Sequence, residues 1–354
     1  MPRNNVYKFL LLALSIGALL AACSPPAAPP ATEAQTEAPV EAIPTDTAVP
    51  SAVPTETPTN SPPAPTKTSI AQNQGFPLTL EDSLGRTVTL DAPAQRIVSL
   101  APSNTEILFA IGAGDQLVGR DAFSDYPPEA AQIADVGGGW GDLNLETIVS
   151  LEPDLVLAAE LSPPEQVQSL ESLGLTVYLL KNPLQLDGLY SNLLTVGQIT
   201  GHEKEAATLA DALKQRVIAV EDKLAVVETR PLVFYELDST EPNAPWTAGP
   251  GTFIDTLISM AHGENLGNVL QSDWGQISVE ELLTKDPDFI ILGDYTWGGV
   301  TVEDVEARAG WETLQAVKND HVYTFDDNLV SRPGPRMVDG LEAMAELLHP
   351  EAFK

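Results

Sequence analysis

Leu143-Asn-Leu-Glu146-Thr-Ile-Val-Ser-Leu-Glu-Pro153-Asp154-Leu-Val-Leu157 returns 134 residues later as Ile277-Ser-Val-Glu280-Glu-Leu-Leu-Thr-Lys-Asp-Pro287-Asp288-Phe-Ile-Ile291. Glutamate, proline and aspartate recur in register. Each copy reads as a capped helix, a Pro-Asp turn and a buried strand, because the residue before proline is pushed out of the helical region and a short apolar run follows. A looser echo pairs residues 105–119 with 253–267, each a helix that ends near glycine. Two echoes on opposite sides of the long helical stretch at 201–228 predict two lobes of similar topology, related by approximate two-fold symmetry.

Working outward from the repeat, apolar strands are expected at 155–158, 177–180, 232–235, 289–292 and 321–324, with helical segments between them. That alternation is the signature of an α/β architecture with mainly parallel sheets. Ahead of it, Leu78-Thr-Leu and Gly85-Arg-Thr-Val-Thr-Leu90 alternate apolar and polar residues about a glycine turn, which predicts a β-hairpin. Arg96-Ile-Val-Ser-Leu100 reads as a strand, and Pro102-Ser103-Asn104 reads as the cap of a helix beginning at Thr105. Residues 201–228 form the longest continuous helical stretch, with Ala206, Leu209, Leu213, Val217, Val220 and Leu224 at spacings of three and four, and Pro231 ends it. A helix of up to about 25 residues there, roughly 38 Å long, suits a spine between lobes. The expected organisation is an N-terminal lobe at 76–200, a spine at 201–230 and a C-terminal lobe at 231–354.

The N-terminus supplies an address. Arg3 and Lys8 precede a short uncharged apolar run at 9–22, which reads as the core of a signal peptide spanning 1–22. It ends in Leu20-Ala21-Ala22-Cys23, similar to the lipobox of bacterial lipoproteins, in which the cysteine is lipidated and becomes the mature N-terminus. Cys23 is the only cysteine of the chain, so an intrachain disulfide is impossible; the plainer alternative is an ordinary secretory signal with an incidental thiol. Residues 24–75 are Pro, Ala, Thr and Glu with 12 prolines in 52 positions, too little apolar surface to offset ordering entropy, so a disordered tether is expected after Cys23. Residues 76–354 then hold 45 acidic against 15 basic side chains, a net charge of −30. Such a field opposes nucleic acid and anionic membranes, leaving the lipid anchor as the one membrane contact.

A cleft between two lobes is a favoured place for a small molecule, and the aromatic loops gather where such a cleft would lie. Phe123-Ser-Asp-Tyr126-Pro-Pro128 follows an early strand, and Pro245-Trp246-Thr follows a strand of the second lobe. Gly137-Gly-Gly-Trp140-Gly and Asp273-Trp274-Gly precede the two repeats, so Trp140 and Trp274 are repeat mates, each six residues before the repeat glutamate. A tryptophan in a glycine-flanked loop is poorly placed to be lobe core. Trp297 is open between ligand wall and loop packing, and Trp311 reads as structural. Arg332 and Arg336, at the start of the last helix, oppose its dipole, which implies a partner: an acidic or amide ligand group, or a nearby carboxylate.

Taken together, Arg96-Ile-Val-Ser-Leu-Ala-Pro-Ser-Asn-Thr-Glu-Ile-Leu-Phe-Ala-Ile-Gly112, Ser124-Asp-Tyr-Pro-Pro128, Leu143-Asn-Leu-Glu146 and Gly263-Glu-Asn265 resemble the helical-spine (class III) periplasmic binding proteins of ABC importers, across essentially all of 76–354. Within that group the chain is most similar to the vitamin B12 (cobalamin) binding members. The resemblance implies two Rossmann-like lobes joined by one spine helix, and a corrinoid held edge-in between aromatic side chains. It places Phe123, Trp140, Trp246 and Trp274 on the aromatic pocket positions and Asp327 and Arg336 near the polar contacts, with Arg332 a further candidate. Phe123 stands where a tyrosine is usual, and a further pocket tryptophan has no counterpart because the strand end reads Leu157-Ala158-Ala159. The same scaffold also carries ferric siderophores, haem and molybdate, and a ferric siderophore or haem is the alternative cargo. The resemblance further implies that Glu146 and Glu280 dock onto the two subunits of a permease dimer with its ATPase subunits; the plainer reading is two early helical acids favoured by the dipole. A monomer anchored extracytoplasmically to the cell membrane is expected.

An enzyme is not expected. His202, His262, His321 and His349 have neither metal-ligand spacing nor motif context, and the chain holds no Gly-x-Ser-x-Gly elbow and no phosphate loop. No cofactor and no structural metal are expected either.

Overall fold

In the computed structural model, residues 75–354 are described, except 140 and 161. The signal peptide at 1–22, Cys23, the tether up to residue 74 and Trp140 lie outside the described residues.

The chain opens with the hairpin β1 (Leu78–Glu81) and β2 (Thr87–Leu90). The first lobe follows as β3 (Ile97–Ser99), α1 (Pro102–Ala110), β4 (Leu117–Arg120), β5 (Ala134–Asp135), α2 (Leu145–Ser150), β6 (Leu155–Ala159), α3 (Pro164–Ser172) and β7 (Val177–Leu180). Its five strands are all parallel, in the order β5-β4-β3-β6-β7. Starting in the middle and building outward on both sides is the doubly wound plan of a Rossmann-like sheet.

Two helices, α4 (Leu186–Thr200) and α5 (Glu203–Leu224), lead into the second lobe: β8 (Leu232–Glu236), β9 (Trp246–Ala248), α6 (Phe253–Met260), β10 (Glu264–Asn265), β11 (Trp274–Gln276), α7 (Val279–Lys285), β12 (Phe289–Leu292) and β13 (Val322–Thr324). A C-terminal helix, Met337–Leu348, closes the fold. The parallel order β10-β8-β12-β13 matches β4-β3-β6-β7 of the first lobe strand for strand. The ribbon of β9 and β11 is an addition peculiar to the second lobe.

The Pro-Asp pairs of the repeat have the same task in each lobe. Asp154 accepts hydrogen bonds from the backbone N–H of Gln95 at 2.7 Å and of Arg96 at 3.0 Å, and Asp288 accepts from Leu232 N–H at 2.8 Å. Each carboxylate thus ties the start of the strand it precedes (β6 or β12) to the start of the lobe's first strand (β3 or β8), satisfying donors that the ladder leaves open.

Two sequence expectations shift. The first helix begins at Pro102 with Ala101 as its cap, so Ser103 and Asn104 sit inside it; proline at the first helical position needs no N–H partner. The helix expected over 201–228 runs from Glu203 to Leu224, 22 residues or roughly 33 Å. Gly201, left-handed at φ 79°, ends α4 and turns the chain back, and at Gly197 a Cβ would lie 2.5 Å from that of Ala206, so α4 and α5 pack in close contact. Helix α5 also packs against the C-terminal helix, where Arg216 pairs with Asp339 and Glu342. Its buried face, from Ala206 to Leu224, belongs to one continuous apolar cluster that includes Ile97 and Leu157 of the first lobe and Val233, Ile291 and Met344 of the second.

Candidate ligand-binding cleft

A cleft of about 710 Å³ lies between the lobes. The first lobe contributes residues 101–104, at the start of α1, and the segment 180–184 beyond β7; the second contributes Trp246, Phe253, Trp274, Trp297 and Arg332. Both contributions come from the carboxyl ends of parallel strands, where doubly wound sheets open to ligands. A second hollow of about 770 Å³ adjoins it, sharing Ala101, Pro102 and Ala159.

The β9–β11 ribbon sets the tryptophans. In its antiparallel register Trp246 opposes Gln276 and Trp274 opposes Ala248. Directly opposed residues point to one face of a ribbon and alternate residues share that face, so Trp246 and Trp274 lie diagonally on the same side. Each is 41% exposed, unusual for the most apolar-rich side chain of the set unless something covers it. Trp274 is braced by Phe253, with ring centroids 5.8 Å apart and planes at 60°. The ribbon approaches its surroundings so closely that a Cβ on Gly249 would meet the Ser272 carbonyl oxygen at 2.1 Å.

Phe123 lines the adjoining hollow. Buried Asp121 shapes its turn, accepting from Phe123 N–H at 2.9 Å and from the Ser124 hydroxyl. Burial raises the Asp121 carboxyl above the usual range, opposed by the Ser124 hydrogen bond. Gly139, at φ 66°, lets the glycine loop pass over the Phe123 ring, where a Cβ would come within 2.3 Å of a ring carbon.

The polar candidates divide. Arg336 forms a bidentate pair with Glu106 of α1, at 3.0 and 2.6 Å, and its guanidinium lies 3.9 Å from the Tyr126 ring centroid. Arg332 binds Asp125 at 2.5 Å and lies 3.7 Å from Glu106. Both arginines therefore reach from the second lobe to carboxylates of the first. Glu106 is 3% exposed, and burial pushes its carboxyl up while Arg336 opposes the shift. Arg332 lines the cleft and Arg336 does not. Asp327 is also outside the cleft wall; it accepts from the Tyr235 hydroxyl at 2.8 Å, and burial raises its carboxyl.

Glu146 and Glu280 occupy matching places. Each is the second residue of its short helix, after an N-cap side chain that accepts from the backbone: Asn144 from Thr147 N–H at 3.0 Å and Ser278 from Glu281 N–H at 3.1 Å. Both are exposed, and neither is in an ion pair among the described residues. The dipole favours both carboxylates and also leaves them available to a partner's cations.

Sequence reasoning passed over several cleft features. Asp238 and Asp273 line it, as does Lys181, which has no ion-pair partner among the described residues. The interlobe partners Glu106 and Asp125 were present in the quoted motifs, yet nothing local signals pairs formed across 230 and 207 residues.

A family profile described as "Periplasmic binding protein" matches residues 97–329. The chain belongs to the periplasmic binding protein family. An ABC transporter substrate-binding lipoprotein of Bacillus subtilis, YvrC, is 34% identical over 82% of this chain and 92% of its own length. The vitamin B12 binding protein BtuF of Vibrio cholerae is 30% identical over 74% of this chain and 99% of that one, with a TM-score of 0.64. The heme-binding protein RhuT of Roseiflexus sp. RS-1 is 26% identical over 73% and 99%, with a TM-score of 0.65. This periplasmic binding protein is accordingly the solute-binding, non-enzymatic component of an ABC importer, with a small-molecule ligand and a permease and ATPase as partners. Among the described residues no helix is long and apolar enough to cross a membrane.

Proposed function

We propose that this binding protein captures a corrinoid of the vitamin B12 class, held edge-in between its lobes, and delivers it to the permease of an ABC importer while anchored outside the cell membrane through lipidated Cys23. The observation that carries the reading is the ribbon that sets Trp246 and Trp274 on one face of the interlobe cleft. Two large rigid apolar faces suit the rim and side chains of a bulky macrocycle. The polar wall supports the same cargo. Asn104, Asn182 and Asn192 offer amide groups, Asp238 and Asp273 add negative charge, and Arg332 is already matched by Asp125. An anionic ferric chelate or the propionates of haem would meet a wall with little free positive charge beyond Lys181. Phe123 of the adjoining hollow would extend the aromatic wall from the first lobe, with Trp140 a further candidate there, and Asp327 and Arg336 would support the cleft indirectly, through Tyr235 and Glu106; no further cofactor is needed.

The test is a parallel calorimetric titration of the full chain in detergent with cyanocobalamin, cobinamide, haemin and a ferric hydroxamate. One-to-one binding of a corrinoid, weakened about tenfold or more in Trp246→Ala and Trp274→Ala, is the expected result. Binding of haemin or the hydroxamate in place of both corrinoids would keep the transport role and replace the cargo.

A further inference from the structure

The ribbon is not the end of the aromatic wall. Trp297 lies in the same cleft on a separate element, the four-residue helix Tyr295–Gly298 that follows β12. It is 56% exposed, yet it is firmly held. Its indole N–H donates to the Leu237 carbonyl at 3.1 Å, and Leu237 N–H in turn donates to the Trp246 carbonyl at 2.9 Å. A two-bond chain therefore fixes Trp297 relative to the ribbon that carries Trp246 and Trp274. The short helix is pinned independently: the Thr296 hydroxyl donates to the Phe325 carbonyl at 3.1 Å and accepts from Asp327 N–H at 2.8 Å, and Ser239 donates to Asp294, the residue before the helix, at 2.6 Å.

Topology adds a second observation. Strand β12 is the counterpart of β6, so the short segment carrying Trp297, just beyond the end of β12, corresponds to the stretch just beyond the strand end that reads Ala158-Ala159 in the first lobe. Ala159 lines both hollows and leaves that side open. The cleft is thus asymmetric, with bulk at the strand end of the second lobe and space at the strand end of the first.

We infer that Trp297 is a third ligand-contacting wall and a specificity-determining residue, which stacks against the side of the cargo that faces the second lobe while Ala159 makes room on the other. This rests on the reading of the cleft as the cargo site and deepens it. An indole held by a hydrogen bond and left half in solvent loses little freedom when a ligand covers it, so it contributes to affinity without an ordering penalty.

The test compares wild type, Trp297→Ala and Trp297→Phe as full chains, titrated with cyanocobalamin, cobinamide, haemin and a ferric hydroxamate, with the thermal unfolding midpoint of each ligand-free protein measured alongside. Trp297→Ala should weaken the ligand that wild type binds by about tenfold or more, Trp297→Phe should recover most of that loss, and the ligand-free midpoints should agree within about 2 °C. Wild-type affinity in Trp297→Ala overturns the inference and leaves the corrinoid reading standing. A midpoint lowered in step with affinity also overturns it, by making the residue structural. Loss of haemin or hydroxamate binding in Trp297→Ala, with corrinoids ignored by wild type, supports the wall and removes the corrinoid; a wild type that binds none of the four removes both.

Discussion

At Asp294 a fully buried carboxyl lacks a counter-charge of its own. Ser239 satisfies Oδ2, Oδ1 has no hydrogen-bond partner among the described residues, and the nearby cation, Arg308, is bound to the equally buried Glu236 at 2.5 and 2.8 Å. Burial first, and then the negative charge of Glu236, push the Asp294 carboxyl up to about 7. In the unfolded chain the same group titrates near 4, so between about pH 4 and pH 7 the folded state holds a proton that the unfolded state has released. Stability from this group is therefore complete below that window and is lost as pH rises through 7. Glu106, Asp121 and Asp327, raised by burial, act in the same direction. Urea midpoints should fall between pH 4.5 and 7.5, and Asp294→Asn should flatten part of that slope; a wild-type profile that rises over the window contradicts the assignment.

The ribbon is the element on which the cleft depends, and Gly249 is a tight joint at its end. An alanine there would drive a Cβ against the Ser272 carbonyl, so strands β9 and β11 would have to separate or tilt. Gly249→Ala should cost about 1–3 kcal/mol of stability and weaken ligand binding more than a distant core change of equal cost, which denaturation and titration of the same samples will show. This element was also the least legible in the sequence. The runs at 155–158, 177–180 and 289–292 announced themselves because strands buried on both faces are continuously apolar, and the structure places them within a residue of the expected limits. Strands β9 and β11 are three residues each, half exposed, and carry no such run. Trp246 and Trp274 could be singled out as loop aromatics, but their shared face depends on a register that only the fold supplies. The short helix under Trp297 was hidden for the same reason, since four residues show no period.

Across the whole molecule, two kinds of link join the lobes. One is polar: Glu106 of the first lobe meets Arg336 and Arg332 of the second. Removing one side of a buried pair strands the other, so Glu106→Gln should cost about 3–5 kcal/mol, measured by chemical denaturation, with Arg336→Ala similar in direction. The pair of exposed glutamates belongs to this scale as well, because one sits on each lobe. Reversing both, Glu146→Lys with Glu280→Lys, should leave ligand affinity within about twofold while abolishing stimulation of the permease-bound ATPase; an unchanged ATPase would remove them from the docking surface. The other link is apolar, the cluster that runs through α5 from β3 to the C-terminal helix. A cluster shared in this way offers no seam at which one half could melt before the other. Cooperativity therefore extends over both lobes, and heating should give one endotherm whose calorimetric and van't Hoff enthalpies agree. Cargo bound in the cleft would then protect every residue of the unit alike, by about 2.7 kcal/mol at a hundredfold excess over Kd, so protease resistance far from the cleft becomes a gauge of occupancy.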